Sequence, residues 1–275
     1  MKNIPKICYM YWGGSGPMAE IMVFTILSFH KYNPDWEIII YRTKQKNEEL
    51  GVNTYVSVYE GKDYFYLIER LSYVQIRTID VAEFGINNDA HSILGSDIFR
   101  MNILYHKGGV YSDLDVIWLK PMNDFVNIEC IGDPNDFEST VSLNDYTSGF
   151  HTASNIIAEK GSQFILSLIE EQKRVIPPYS HMAFSTSMMN IMYPDLYSII
   201  EKYPRVLALK YITFYPYSTR NLGPLFLEND LSPIDSKDVM CIHWFNGNKT
   251  SVDYINEGFG RHCSMTSILK KEGYI

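Results

Sequence analysis

Two aspartates separated by a single residue, Asp113 and Asp115, are the first candidates for chemistry in this chain. They belong to the run Gly109-Val110-Tyr111-Ser112-Asp113-Leu114-Asp115-Val116. Side chains alternate along a strand, so Tyr111, Asp113 and Asp115 are expected on one face and Val110, Leu114 and Val116 on the other. Two carboxylates about 7 Å apart at the backbone repel unless a positive charge lies between them. A divalent cation with oxygen ligands answers that repulsion, and Mn2+ and Mg2+ both suit carboxylate and water ligands. A bare D-x-D also occurs on solvated edge strands, so the neighbouring residues decide. Upstream, Ser96, Asp97 and Arg100 open a segment whose apolar face is Ile98, Met101, Ile103, Leu104 and Tyr105. Ser96 suits an N-cap and Asp97 the positive end of a helix starting at Gly95-Ser96-Asp97. Gly108-Gly109 ends it and turns the chain back into the D-x-D strand. A helix N-terminus, an arginine one turn on and a carboxylate pair can surround a polyhydroxylated, phosphorylated ligand.

The elements around this constellation are legible as an α/β pattern. Ile7 to Trp12 reads as a buried strand ending in a glycine turn, Pro17 to about Tyr32 as a helix, and Trp36 to Tyr41 as a second strand. Strand, helix, strand within about 40 residues is a βαβ unit, which predicts a mostly parallel mixed sheet flanked by helices. Lys44 to about Asn88 reads as mostly helical, and Val110 to Leu119 as one continuous strand. Ile128 to Gly132, Asn155 to Ala158 and Val239 to Trp244 are short strand candidates. Ser162 to Ile176 and Ala183 to Met192 read as helices, the methionines of the second as core filling.

Composition bounds the function. The chain has 275 residues, 24 basic against 32 acidic side chains (net −8), 46% hydrophobic and 20% charged residues. That excludes a mostly disordered chain and argues against non-specific nucleic-acid binding, which needs surplus Lys and Arg to displace counterions. Cys8, Cys130, Cys241 and Cys263 form no C-x-x-C pair, so free thiols in a reducing, cytoplasmic compartment are expected. The longest apolar run, Ile21 to Phe29, is interrupted by Thr25 and Ser28 and is far shorter than the roughly 20 residues that span a bilayer. Pro5 and the Gly13-to-Pro17 cluster interrupt any signal-peptide pattern. No linker, repeat or low-complexity tract appears, so a single domain over 1–275 is expected.

Ser96-Asp97-x-x-Arg100-x-x-x-Leu104 followed by Gly108-Gly109-Val110-Tyr111-x-Asp113-x-Asp115 resembles the sugar-binding region of D-x-D glycosyltransferases. That family includes yeast initiating mannosyltransferases, capsular polysaccharide glycosyltransferases and the catalytic domain of large clostridial glucosylating toxins. Ile4 to Gly13, Tyr32 to Trp36, Ser154 to Ala158, Phe214-Tyr215-Pro216 and Ile242-His243-Trp244 resemble its other elements, whereas Ser185-Thr186-Ser187 departs from a Thr-Gly-Pro-like turn. The resemblance implies a single GT-A nucleotide-sugar-binding domain and transfer from a nucleoside-diphosphate sugar, UDP favoured over GDP, with retention. The acceptor hydroxyl would belong to a glycan, lipid-linked or protein molecule. It implies a donor-binding set of Trp12 on the base, Ser96, Asp97 and Arg100 on the sugar, Tyr111 beside it, Asp113 at the ribose and Trp244 closing over. It further implies Asp113, Asp115 and His243 as metal ligands, and Asn155 beside the anomeric carbon with Asp113, Asp115 and Arg100.

Other readings compete. A haloacid-dehalogenase-type phosphatase also uses D-x-D, but Gly132-Asp133-x-x-Asp136 follows too closely and Ile117 stands where Thr or Val is usual. A nucleotidyltransferase would want a basic glycine-rich loop, and Trp12 to Pro17 has no base. A catalytically weak nucleotide-sugar- or glycan-binding module on the same fold is the non-enzyme alternative. An inverting enzyme needs a general base on the acceptor side, and Asp133, Asp136, Glu138 and Asp145, downstream of the motif, could supply one.

Overall fold

A computed structural model describes the chain at residues 1, 3–13, 16–43, 59–80, 83, 92–143, 150–151, 154–175 and 184–275. The first part runs β1 (Ile7–Trp12), α1 (Glu20–Tyr32), β2 (Glu37–Thr43), α2 (Phe65–Ile68), β3 (Val74–Ile79), α3 (Ser92–Lys107) and β4 (Gly109–Ser112). Next come β5 (Val116–Trp118), β6 (Cys130–Ile131), β7 (Ser139–Leu143), β8 (Phe150–His151), β9 (Asn155–Ala158), α4 (Gln163–Gln172), α5 (Thr186–Met192) and α6 (Leu196–Lys202). The chain closes with β10 (Val206–Leu209), α7 (Gly223–Phe226), β11 (Cys241–His243), α8 (Lys249–Asn256) and α9 (Ser264–Glu272).

The α/β expectation holds. Strands are ordered β3-β2-β1-β4-β9-β7-β10-β6, with β8 on β7, and a separate ribbon pairs β11 with β5. The ladders from β3 through β2 and β1 to β4 are parallel, with Trp12 opposite Arg42 and Tyr9 opposite Tyr111. Beyond β4 the sheet is mixed: β9 runs antiparallel to β4, while β10 runs parallel to β7. Successive strands move outward from β1 to β3, then the chain returns to β4 on the other side of β1. The strand order therefore reverses between β1 and β4, the place where open α/β sheets leave a crevice at their carboxyl ends.

The two faces of the sheet carry separate cores, as period-2 alternation requires. On one, Cys8, Met10, Ile38, Ile40 and Val110 pack under α1 and the C-terminal helices. On the other, Tyr9, Tyr11, Tyr41 and Tyr111 meet Phe99, Met101 and Leu104 of α3, with α4 to α6 beside them. Met188 and Met189 of α5 are buried there, as core filling requires. Among the described residues no helix is long and apolar enough to cross a membrane.

Three local expectations are corrected. Helix α3 starts at Ser92, so Ser96 is an interior residue and not a cap. Gly95 does not open the helix but lies inside it: a Cβ there would stand 3.2 Å from the Tyr11 hydroxyl, so glycine lets the helix settle on the tyrosine. The described part of 44–88 holds the strand Val74–Ile79 as well as one short helix, because a sheet edge half open to water gives a weak apolar pattern. Val110 to Leu119 is not one strand: it breaks after Ser112 and resumes at Val116 in the other sheet. The unexpected strands Ser139–Leu143 and Val206–Leu209 complete the mixed half.

Candidate functional site

Arg100 is the hub of one wall. Residues three and four apart share a helix face, so Ser96, Asp97 and Arg100 meet on α3. The Arg100 Nη2 donates to Ser96 Oγ at 3.0 Å and lies 3.2 Å from Asp97 Oδ1. It also reaches Asp113 Oδ1 at 3.2 Å, and the guanidinium sits 4.6 Å from the Tyr111 ring centroid. The Arg100 side chain is 4% exposed, and its Nη1 is buried with no partner among the described residues. A buried guanidinium between two carboxylates is held charged, its pKa raised: burial opposes this, but the charges of Asp113, Tyr111 and Asp97 outweigh it.

The tight turn between α3 and β4 depends on glycine. Gly108 and Gly109 have φ of 69° and 114°, and a Cβ on Gly109 would stand 2.6 Å from the Ile7 carbonyl oxygen. Strand β4 then delivers Asp113 one residue past its last paired position, where the Asp113 N–H donates to the Ser154 carbonyl at 2.7 Å. Tyr111 OH donates to Asp113 Oδ1 at 2.8 Å. The bend at Leu114 and Asp115 is pinned from below by α1. Thr25 Oγ1 donates to the Leu114 carbonyl at 2.7 Å and accepts from Val116 N–H at 3.3 Å, and Ser28 Oγ accepts from Trp118 N–H at 3.0 Å. The two polar residues that interrupt the apolar run of α1 are thus the supports of the D-x-D.

The bend brings both carboxylates to His243 at the end of β11. Asp115 Oδ1 is 3.0 Å and Asp113 Oδ2 3.9 Å from His243 Nε2. One ligand atom from each of Asp113, Asp115 and His243 lies within 4.8 Å of the others. Two carboxylate oxygens and an imidazole nitrogen converging on one point fit Mn2+ or Mg2+ by donor type. The two aspartates differ electrostatically. Burial pushes Asp113 up, Arg100 pulls it back and the Asp115 charge pushes it up again, to about 6. For Asp115 the rise from burial is outweighed by the charge and hydrogen bond of His243 and by the Asn246 N–H, and its pKa lies below the ordinary carboxylate range.

The structure brings Ser96, Asp97, Arg100, Tyr111, Asp113, Asp115 and His243 together and leaves two expected residues apart. Trp244 is 0% exposed in the core, so its indole is walled off; what reaches the site is its backbone N–H, donated to the Asp115 carbonyl at 2.9 Å. Asn155 opposes Ser112 in the β4–β9 ladder and points to the α1 side of the sheet. Its Nδ2 donates to Ser154 Oγ at 3.2 Å and contacts Cys241 Sγ at 3.5 Å, which sets the amide among buried side chains behind the strand end that carries Asp113. Trp12 ends β1 half-buried against the α1 core, at the carboxyl-end crevice beside β4. Residues the motif gave no sign of are Asn246, whose N–H holds Asp115 Oδ2 at 2.8 Å, and Tyr215 and Phe245, whose rings flank His243 at 5.4 Å and 4.2 Å. Tyr215 lies in the Phe214-Tyr215-Pro216 element the sequence singled out, and Asn246 lies three residues past His243, but neither spacing assigned them a role.

Residues 20–132 match the family model of a glycosyltransferase sugar-binding region containing a DXD motif, from α1 to just past β6 and short of His243. No curated protein matches the chain. Among solved structures, the chain is similar to the PaToxG glycosyltransferase at 15% identity and a TM-score of 0.49, over 73% of this chain and 70% of that one. Similarity to the galactosyltransferase LgtC, in complex with donor and acceptor sugar analogues, is 11% identity and a TM-score of 0.45, over 91% and 94% of the two chains. A glycosyltransferase involved in glycosylation of the major capsid of PBCV-1 is similar at 11% identity and a TM-score of 0.44, over 92% of this chain and all of that one.

Proposed function

We propose, from the premise that residues 20–132 carry a glycosyltransferase sugar-binding region with a D-x-D motif, that the chain transfers a sugar from a nucleoside-diphosphate sugar to an acceptor hydroxyl and requires a divalent cation. The observation that carries this reading is the convergence of Asp113, Asp115 and His243 beside the Arg100 hub, at the crevice between β1 and β4. Asp115 and His243, with Asp113, would hold Mn2+ or Mg2+, which when bound supplies Lewis-acid neutralisation of a departing diphosphate. Asp97 and Arg100 orient sugar hydroxyls, their own geometry fixed by the ion pairs that bury them. Trp12 offers its ring to the base, and UDP is the favoured nucleotide.

Retention at the anomeric carbon is the favoured outcome. An inverting enzyme needs a general base on the acceptor side. Of the four candidate bases, Asp133, Asp136, Glu138 and Asp145, three are engaged in other contacts. Asp133 accepts the Asn135 N–H in its own turn, and Asp136 pairs with Arg205 at 3.0 Å. Glu138 is buried and accepts the Phe164 N–H at the start of α4. Asp145 lies outside the described residues.

A panel of nucleotide sugars incubated with Mn2+ or Mg2+ tests the reading. Release of nucleoside diphosphate from one donor, abolished by excess chelator, is expected, and proton NMR of the fresh product then reads the anomer. Ion-dependent binding without turnover of any donor would make the chain the binding module instead. Full turnover in chelator would overturn the role given to the carboxylates.

A further inference from the structure

We propose that Tyr215 is the positioning residue of the cation site, joining the Asp113 arm and the His243 arm so that their ligand atoms converge. The inference rests on the reading of Asp113, Asp115 and His243 as ion ligands. Tyr215 lies in no helix or strand and is 2% exposed. Its phenolic oxygen accepts two hydrogen bonds from one residue, Ser154: the N–H at 3.1 Å and the Oγ–H at 2.6 Å. Ser154 is itself fully buried, and its carbonyl in turn accepts the Asp113 N–H at 2.7 Å. That bond extends the β4–β9 ladder by one step beyond its last pair, Ser112 with Asn155, and it is what holds the first aspartate at the strand end.

The other arm hangs from the same dipeptide. His243 N–H donates to the Phe214 carbonyl at 3.1 Å, and the imidazole is flanked by the Tyr215 ring at 5.4 Å and the Phe245 ring at 4.2 Å. Phe245 holds its place at a positive φ of 56°. One short segment therefore fixes a ligand on β11 through its backbone and ring, and a ligand after β4 through its hydroxyl. A phenylalanine at 215 would pack the same space, so packing does not account for the hydroxyl. The hydroxyl's work is to satisfy Ser154 and thereby set where Asp113 starts. Partners bonded directly to metal ligands change metal affinity by about 10- to 100-fold when removed, and the Tyr215 hydroxyl, which acts on Asp113 through Ser154, belongs at the low end of that range.

The test is Mn2+ binding without nucleotide, read by the loss of the free-ion electron paramagnetic resonance signal. Tyr215→Phe should bind Mn2+ about 10-fold more weakly than wild type and broaden the bound-ion spectrum. Ser154→Ala, which removes one of the two bonds from the other end, should weaken it by a smaller factor and remains informative if Tyr215→Phe does not fold. Tyr254→Phe is the control: it loses a buried hydroxyl contact to Thr266 at 3.0 Å in the C-terminal helices and should bind Mn2+ as wild type does. Folded Tyr215→Phe and Ser154→Ala proteins with wild-type Mn2+ affinity would overturn the proposal and leave the ligand assignment standing. Wild-type protein that binds no Mn2+, or binds it equally after Asp115→Asn, would remove the ligand assignment and the proposal with it.

Discussion

Replacing Asp113 with asparagine should stabilise the ion-free protein at neutral pH while it removes a ligand. Burial, opposed by Arg100 and reinforced by Asp115, moves the Asp113 pKa from 3.8 to about 6 in the folded state. A group that binds its proton more tightly when folded contributes stability in its protonated form, and that contribution is lost as pH rises through about 6. A rise from 3.8 to about 6 amounts to about 3 kcal/mol for a fully enclosed group. The side chain is 22% exposed, and solvent screening reduces this to about 1–2 kcal/mol. An amide is neutral at every pH, and its oxygen still accepts from Tyr111 OH and Arg100 Nη2 in the same space. At about 2–4 °C per kcal/mol for a chain of this size, Asp113→Asn should melt roughly 2–8 °C above wild type at pH 7.5. Below pH 4 the two should nearly coincide. Differential scanning calorimetry in chelator across this range is the assay. With Mn2+ in large excess over its Kd the order should reverse, because only wild type gains ligand-linked stability. A mutant that melts no higher than wild type at pH 7.5, or a difference that does not change with pH, would refute the electrostatic argument.

Arg100→Met removes the guanidinium that pairs with both Asp97 and Asp113 and should cost about 3–5 kcal/mol of stability, measured by urea unfolding; a loss under 1 kcal/mol would contradict the hub. Asp115→Asn keeps shape but removes the ionised ligand, and turnover on the identified donor should fall on the order of 10³-fold. Trp12→Ala should weaken calorimetric binding of the free nucleoside diphosphate by roughly 1–2 kcal/mol if its ring meets the base. Unchanged affinity in a folded mutant would assign the half-buried ring to the α1 core alone.

Local sequence determined the βαβ start, the helix before the D-x-D and the glycine turn after it, because each depends on residues a few positions apart. Strand β1 and strand β9 fall at Ile7–Trp12 and Asn155–Ala158 as their β-branched and aromatic runs require. Ser96, Asp97 and Arg100 share a face by helical spacing alone, and this pattern was readable even though the helix begins a turn earlier than its apparent cap. Val110, Leu114 and Val116 reach the α1 core as alternation predicts, although the strand breaks between them. That break depends on Thr25 and Ser28, some 90 positions upstream, and no local pattern carries it. Tertiary structure alone decided which distant groups complete the site. His243 meets Asp115 because β11 pairs with β5 across more than 120 residues of chain. The same pairing buries Trp244 and brings its N–H to Asp115, so adjacent residues in one motif acquire opposite fates. Asn155 was displaced for a related reason: its register partner Ser112 fixes it on the α1 face, and register is a property of the folded ladder, which a four-residue strand does not encode by itself.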